Sequence, residues 1–211
     1  MITLALLGCA APLGPAPGVA TADGCVLAVH VARDEEVPET TASELLAALV
    51  AAGPTLDLRL VPDAGTARTF DLGDPLAGDA PDALADAVTA IATPVRDGVE
   101  LVVVPTLAAP HTVAARTLGT LRGVALSPWA PALPAGLGDL PPWTPSVFAA
   151  AAELHGRPDA GRVLAHELGH ALGLAHDPRP DNLMYGGGDG AALDAVQRQT
   201  VRTTACPELP A

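Results

Sequence analysis

The chain has 211 residues, with 24 acidic and 11 basic side chains and a formal net charge of −13 at pH 7. This acidity argues against nucleic acid as a partner and against docking on anionic lipid, because both surfaces attract clustered cations. The length suits one ordinary domain with a core of its own, and we expect a monomer.

The N-terminus predicts an exported protein. Residues 1–11 form a short apolar run, and no later segment is long and apolar enough to span a bilayer. Leu6–Cys9 resembles the lipobox of bacterial lipoproteins, which would make Cys9 the acylated first residue. Alternatively, Ala20–Ala22 resembles a signal-peptidase site that would leave Asp23 first. No Lys or Arg precedes either site. We expect a secreted protein or a bacterial cell-envelope lipoprotein that contacts the membrane only through its lipid, and we prefer the lipobox.

The sequence contains three cysteines. Either processing site removes Cys9 from the set that could pair, which leaves Cys25 and Cys206 at opposite ends of the globular segment. A disulfide between these two would close a very long loop and would suit an exported protein. The alternative is two unrelated thiols.

A spacer rich in Pro, Gly and Ala, Pro12–Asp23, precedes the domain and is expected to be disordered or extended. Beyond it, strand and helix periodicities alternate, which indicates an α/β fold with a largely parallel sheet. Val99–Val104 is the most hydrophobic strand and should be central. The other predicted elements of this part are strands at Val26–Val31, Leu56–Val61 and Leu121–Ser127, and helices at Glu39–Ala52 and Pro81–Ile91.

The second part of the chain has a different composition. Pro128–Pro145 is so rich in proline that it must be a loop, and Ser146–Ala151 could form a short strand. Asp159–Leu174 predicts a strong helix with one apolar side. The chain is then loop-like until a last helix at about Ala191–Thr203.

The strongest chemical signal is residues 166–176, whose sequence is HELGHALGLAH. On a helix, His166 and His170 lie about 40° apart around the axis and about 6 Å apart along it, so both imidazoles can reach one ion. Glu167 lies about 100° round from His166, where it can accept a proton from a water beside the metal more easily than it can bind the metal.

A third ligand requires the helix to end. On a continued helix, His176 would lie about 240° round from His170 and could not reach the same ion. Gly173 can adopt the positive φ that ends a helix and turns the chain back. Three neutral histidines leave a fourth position open for water, which is typical of a catalytic rather than a structural zinc.

These residues resemble the long zinc signature of the metzincin metallopeptidases, and the downstream Asn182–Tyr185 looks like the Met-turn of that clan. The spacing and the Met-Tyr pair are most similar to matrixins. The resemblance places Met184 beneath the three histidines as an apolar floor, with Tyr185 directly after it. It also implies a metzincin-like fold, with a mixed, mostly parallel twisted sheet, an active-site helix and a small C-terminal subdomain that holds the Met-turn and the final helix.

The corresponding domain organisation has a leader and linker at residues 1–24 and a metallopeptidase domain at residues 25–206, with a tail at 207–211. Its upper subdomain would comprise residues 25–173 and its lower subdomain residues 174–206.

The sequence also departs from the family pattern. Matrixins usually have serine after the third histidine, whereas Asp177 is more like the adamalysin group. Gly186 occupies the place of the tyrosine that follows the Met-turn in astacins. We find no cysteine-switch propeptide, and the subfamily stays open.

The remaining histidines and acidic residues are weaker candidates. His30 lies in an apolar strand and should be a core residue with satisfied hydrogen bonds, whereas His111 and His155 should lie on the surface. Calcium is conceivable at Gly186–Gly190 or at scattered aspartates, but a flexible loop and solvated charge are the simpler interpretations. Those aspartates are Asp57, Asp63, Asp71, Asp74 and Asp79.

Together these features predict a zinc-dependent endopeptidase with one catalytic zinc ion and protein or peptide substrates. In such an enzyme Glu167 acts as the general base on a zinc-bound water. An extended substrate would add a strand along a sheet edge, for which Gly123–Ser127 is the candidate by the family's pattern. The alternatives are a catalytically inactive zinc-binding surface protein and a lipoprotein in which the motif is fortuitous.

Overall fold

The computed structural model describes residues 18–21, 24–63, 68–71, 76–77, 97–108, 120–121, 123–126, 144–186 and 190–208. Several predictions concern residues outside these ranges. They are Cys9, the helix Pro81–Ile91, His111, Asp74, Asp79 and all but the end of the proline-rich segment.

Within the described residues, strands and helices alternate in the first part of the chain and helices dominate the last. The strands are β1 (Gly18–Thr21), β2 (Gly24–Asp34), β3 (Arg59–Pro62), β4 (Arg68–Phe70), β5 (Leu76–Ala77), β6 (Val99–Val104), β7 (Leu107–Ala108), β8 (Thr120–Leu121), β9 (Gly123–Leu126) and β10 (Ser146–Ala150). The helices are α1 (Glu39–Ala52), a 3-10 turn at Gly53–Leu56, α2 (Ala151–Leu154), α3 (Ala160–Ala171) and α4 (Ala195–Ala205).

The main sheet has the strand order β1-β2-β6-β10-β9, and β3 and β4 also pair with β2. The pairs that β2 makes with β3, β4 and β6 are parallel, as is the pair between β6 and β10. β1 and β9 are antiparallel to their neighbours. A small second sheet has the order β5-β7-β8. The prediction of a mixed, mostly parallel sheet in an α/β fold is confirmed.

Two elements have the predicted bounds because their hydrophobic patterns are long and regular. β6 spans Val99–Val104, all its residues are buried, and it lies between β2 and β10 as a central strand should. α1 spans Glu39–Ala52 and buries Leu45 and Leu49 against the sheet.

Other predicted bounds were wrong for local reasons. The strand expected from Leu56 begins only at Arg59, because Gly53–Leu56 forms a 3-10 turn and Asp57 adopts a left-handed φ of 60°. The strand expected over Leu121–Ser127 is divided, because Thr120–Leu121 pairs with β7 and Gly123–Leu126 pairs with β10.

The two long C-terminal helices are also shorter than predicted. α3 ends at Ala171 rather than Leu174, because Gly173 turns the chain with a φ of 91°. α4 begins at Ala195 rather than Ala191, because Asp194 and Gln197 form a capping box. In this box each side chain accepts a hydrogen bond from the backbone N–H of the other residue.

α1 and α3 pack closely on one face of the main sheet, with their contact at Gly161. A Cβ atom built on Gly161 would lie 2.6 Å from the carbonyl oxygen of Ala48, so only glycine permits this approach. α3 also contacts β9 and β10. This packing places α3 against the edge of the sheet that ends in the antiparallel strand β9.

The ends of the domain are joined covalently. Cys25 in β2 and Cys206 after α4 form a disulfide, with a Cα–Cα distance of 5.9 Å. β1 lies against it, since a Cβ on Gly18 would be 2.8 Å from Cys206 Sγ. The spacer therefore contributes the extended strand Gly18–Thr21 to the sheet.

None of the helices in the described ranges combines the length and the apolar character that crossing a membrane requires.

Candidate metal centre

The three histidines of the motif meet at the C-terminal end of α3. His166 and His170 lie one turn apart on that helix. After the turn at Gly173, Leu174 N donates to Gly169 O at 2.9 Å, which directs the chain back toward the helix. The His176 ring centroid then lies 5.4 Å from that of His166 and 4.7 Å from that of His170. One nitrogen from each of the three rings falls within 4.8 Å of the others.

The hydrogen bonds of two rings determine which nitrogen faces the centre. His166 Nδ1 lies 2.7 Å from Leu183 O, and His170 Nδ1 lies 2.7 Å from Leu174 O. Since a carbonyl oxygen only accepts, both Nδ1 atoms must carry the proton. In the neutral rings the Nε2 atoms are then unprotonated, and they face each other at 3.0 Å.

This arrangement fits a zinc ion. Two nitrogen lone pairs at such a separation repel each other unless a cation lies between them. Tetrahedral zinc with Zn–N distances near 2.0–2.1 Å requires nitrogen atoms about 3.3 Å apart. A backbone partner on the second ring nitrogen is the usual way that proteins orient metal-binding histidines.

Burial keeps the two helical histidines in the form that binds metal. Desolvation lowers the pKa of His170 to about 4, although its hydrogen bond to the Leu174 carbonyl opposes the shift. Desolvation also lowers the pKa of His166, opposed by the Leu183 carbonyl. Both rings are therefore neutral at pH 7, and metal need not displace protons from them.

The methionine of the turn lies directly beneath the ligand helix. Met184 is fully buried, and a Cβ built on Gly169 would lie 2.6 Å from its Sδ. Gly169 therefore makes room for the methionine, a role that the sequence analysis missed. The sequence feature that could have revealed this role is a glycine between the first two histidines, on the side of the helix that faces the core.

The backbone of the turn is held by a buried amide. Asn182 is 4% exposed, and its Oδ1 accepts from Met184 N at 2.8 Å. Asp177 N donates to Met184 O at 2.9 Å, which joins the turn to the loop that follows His176. Asn182 was noted in the sequence only as part of the Met-turn.

The glycine-rich segment after the turn is packed at its far end. Gly190 is buried, and a Cβ there would lie 1.6 Å from Asn182 O. Ala191 N donates to Asp181 O, and Leu183 N donates to Ala192 O, at 3.1 and 2.7 Å. Gly190 is therefore required by this close backbone contact.

A charged cluster follows the third histidine. Asp177, noted above only as a departure from the matrixin pattern, forms an ion pair with Arg179 at 2.6 Å, and Arg179 also contacts Asp194 at 2.5 Å. The side-chain and backbone hydrogen bonds from Arg179 lower the pKa of Asp177 to about 2. The Asp177 carboxylate is therefore ionised at neutral pH, because its hydrogen bonds from Arg179 favour the charged form.

The remaining groups of the predicted site are at least partly exposed. Glu167 follows His166 on α3 and is partly exposed, as is Tyr185 beyond the methionine. His176 is exposed to solvent. A Cβ on Gly186 would lie 3.9 Å from the His176 ring, so the glycine leaves that side of the imidazole open.

The other histidines have partners elsewhere. His30 Nδ1 lies 2.8 Å from Asp63 Oδ2, and His30 Nε2 lies 2.7 Å from Asp97 O. This agrees with a satisfied structural role, in a partly buried rather than a core position. His155 is exposed and pairs with Glu44 at 2.9 Å. Within the described ranges, His166, His170 and His176 are the one group with metal-binding geometry.

Comparisons with known proteins agree with this geometry. The matrixin family model matches residues 141–191, which include the motif and the Met-turn. The fold is similar to that of archaemetzincin from Methanopyrus kandleri, with a TM-score of 0.51 and 15% identity, covering 87% of this chain and 96% of that chain. At this identity the likeness shows the fold alone.

Metalloproteinase-II from Bacteroides fragilis is a weaker neighbour, with a TM-score of 0.46 and 15% identity. The match covers 89% of this chain and 57% of that chain. No curated protein sequence matches the chain. The chain therefore combines a matrixin-type sequence around the three histidines with a fold similar to that of an archaemetzincin.

Proposed function

We propose that the protein is a zinc-dependent endopeptidase. The observation that supports this best is the pair of unprotonated Nε2 atoms of His166 and His170, which face each other at 3.0 Å beside the His176 ring. Three imidazoles whose nitrogens converge would hold a zinc ion and leave its remaining position open toward solvent.

The chemistry follows from the residues around that position. When bound, zinc would lower the pKa of a water molecule and stabilise negative charge on the scissile carbonyl oxygen. Glu167, next to His166 and partly exposed, accepts the proton of the attacking water and returns it to the leaving amine. The exposure of His176 and the small Gly186 beside it give a peptide access from the solvent side.

An extended substrate would be held by main-chain hydrogen bonds along β9. Among the described residues this strand pairs with β10 alone, and it ends the sheet order next to α3. Addition of a peptide as a further strand would place its backbone along the edge of the sheet against which the ligand helix packs. A peptidomimetic complex without main-chain hydrogen bonds to Gly123–Leu126 would contradict this part of the proposal.

Export belongs to the proposal as well. The buried Cys25–Cys206 disulfide is typical of oxidising compartments. Cleavage after Ala22 would remove β1 from the sheet, whereas processing at Cys9 would leave it in place, which favours the lipobox. The intact mass of protein expressed in a bacterial host should show acylated Cys9; a mature chain that begins at Asp23 would contradict this.

The decisive experiment is a peptide-library cleavage screen of the wild type and Glu167→Ala, with a chelator control and metal analysis. We expect stoichiometric zinc in both proteins, cleavage by the wild type only, and loss of cleavage with the chelator. His166→Ala should lose both metal and activity. Zinc without cleavage of any peptide would support the inactive zinc-binding alternative, and wild type without zinc would refute both.

A further inference from the structure

One arginine joins the loop of the third histidine to the last helix. Arg179 donates two hydrogen bonds to Asp177, from Nε to Oδ1 at 2.8 Å and from Nη2 to Oδ2 at 2.6 Å. The same Nη2 donates to Asp194 Oδ2 at 2.5 Å. Asp177 directly follows His176, and Asp194 is the N-cap of α4. The guanidinium therefore bridges two carboxylates on two separate segments.

A second path connects the same helix to the Met-turn. Gln197 Oε1 accepts from Asn182 Nδ2 at 2.7 Å, and Asn182 Oδ1 in turn accepts from Met184 N. Gln197 Nε2 also contacts Asp177 Oδ2 at 3.4 Å. The first turn of α4 thus contacts both the loop after the third histidine and the turn beneath the ligand helix.

We propose that Arg179 is a positioning residue for the zinc site. Its ion pairs with Asp177 and Asp194 hold His176 in the ligand set. The proposal rests on the zinc site of the proposed function. His176 needs such support, because His166 and His170 lie on α3 and their Nδ1 atoms bond to carbonyls, whereas His176 lies on an exposed loop. Within the described part of the chain, no hydrogen bond fixes the His176 ring.

Two physical effects predict opposite results for Arg179→Met. Removal of a cation close to a zinc site strengthens zinc binding by electrostatics alone. Loss of the bridge releases the His176 loop from α4, which weakens binding. Substitution of residues that orient metal ligands typically costs 10–100-fold in metal affinity. Because the Arg179 side chain is 51% exposed, we expect about tenfold weaker binding, at the lower end of this range.

The chain provides a matched control. Arg157 also donates two hydrogen bonds to an aspartate two residues away, from Nε and Nη2 to Asp159 at 2.9 and 3.2 Å. It is 42% exposed and lies before α3, at the helix end opposite the ligand cluster. Arg157→Met therefore removes the same charge and the same kind of ion pair without touching the His176 loop.

A second variant separates the bridge from the helix cap. Asp194→Asn retains an oxygen that can accept from Gln197 N, and asparagine is as good an N-cap as aspartate. The substitution replaces the oxygen that receives Arg179 by an amide group. If Arg179→Met does not fold, Asp194→Asn alone decides the outcome.

The experiment is a chelator-competition titration with zinc for the wild type, Arg179→Met, Asp194→Asn and Arg157→Met, with unfolding midpoints of the metal-free proteins. We expect about tenfold weaker zinc binding in the first two variants, unchanged binding in Arg157→Met, and similar midpoints for the two arginine variants. Unchanged or tighter binding in Arg179→Met and Asp194→Asn would overturn the proposal. A wild type that binds no zinc would instead refute the proposed function.

Discussion

Gly169 lies where the ligand helix meets the Met-turn, and its replacement by alanine tests whether this contact supports the metal site. A Cβ at position 169 would lie 2.6 Å from Met184 Sδ and 3.2 Å from its Cε. Met184 is fully buried, so its side chain must shift within a packed core. The preceding Leu183 carbonyl accepts from His166 Nδ1, so a shift of the turn reaches a candidate ligand.

The expected change in stability is a difference between two opposing effects. An added methyl group in a packed core costs about 1–3 kcal/mol. Alanine is favoured over glycine within a helix by about 1 kcal/mol. The free energy of unfolding of Gly169→Ala should therefore fall by about 0–2 kcal/mol. Zinc affinity should fall by about tenfold, because the partner that orients His166 has moved.

Gly161→Ala is the matched control in the same helix. Its Cβ would lie 2.6 Å from the Ala48 carbonyl oxygen, and backbone yields less readily than a methionine side chain. We expect Gly161→Ala to lose more stability, about 2 kcal/mol at the upper end of the same range, but to bind zinc like the wild type. Urea unfolding of the metal-free proteins and chelator competition measure the two quantities. Equal zinc affinities of Gly169→Ala and the wild type would refute the reasoning.

Three further outcomes are expected. Gly173→Ala should lower the free energy of unfolding by roughly 1–2 kcal/mol and weaken zinc binding, because the backbone φ at this position is 91°. Urea unfolding should show a smaller loss for Gly173→Asn, since asparagine tolerates a left-handed φ better than alanine. Equal losses in the two variants would argue against the left-handed turn. Replacing Cys25 and Cys206 by alanine should lower the free energy of unfolding by about 2–5 kcal/mol, measured by thermal unfolding. The loss should lie near the top of that range, because the two cysteines are 181 residues apart. A wild-type unfolding midpoint that does not respond to reductant would contradict the disulfide. The metal-free protein should lose stability as the pH falls from 6.5 toward 4, since the pKa of His170 is about 4 when folded and 6.5 when unfolded. For His170 alone the loss at pH 5 is at most about 2 kcal/mol, and His170→Gln should flatten the profile measured by urea unfolding at pH 7 and pH 5.

Elements with long periodic patterns could be predicted from the sequence. The bounds of α1 and β6 follow from apolar spacing, and the end of α3 from Gly173, although the helix stops earlier than Leu174. The start of α4 was also present in the sequence as the capping box of Asp194 and Gln197, a signal that we did not use.

The division of the strand expected over Leu121–Ser127 and the pairing of β1 could not be predicted in this way. Both depend on partners far away in the chain, because Gly123–Leu126 pairs with β10 and Gly18–Thr21 pairs with β2. A short apolar segment satisfies the local pattern equally well in either sheet, so the tertiary partner decides.

For the candidate site, the sequence alone determined which residues could bind a metal. The four-residue spacing of His166 and His170 and the glycine that ends the helix constrain local geometry, which follows directly from helix dimensions. Only the tertiary structure decided how these side chains are supported. Gly169 faces Met184, and Arg179 contacts Asp194 at the start of α4, so both meet neighbours that are close only in the folded chain. Orientation of a ligand depends on such contacts, because a side chain with rotatable bonds is fixed by what packs and bonds against it.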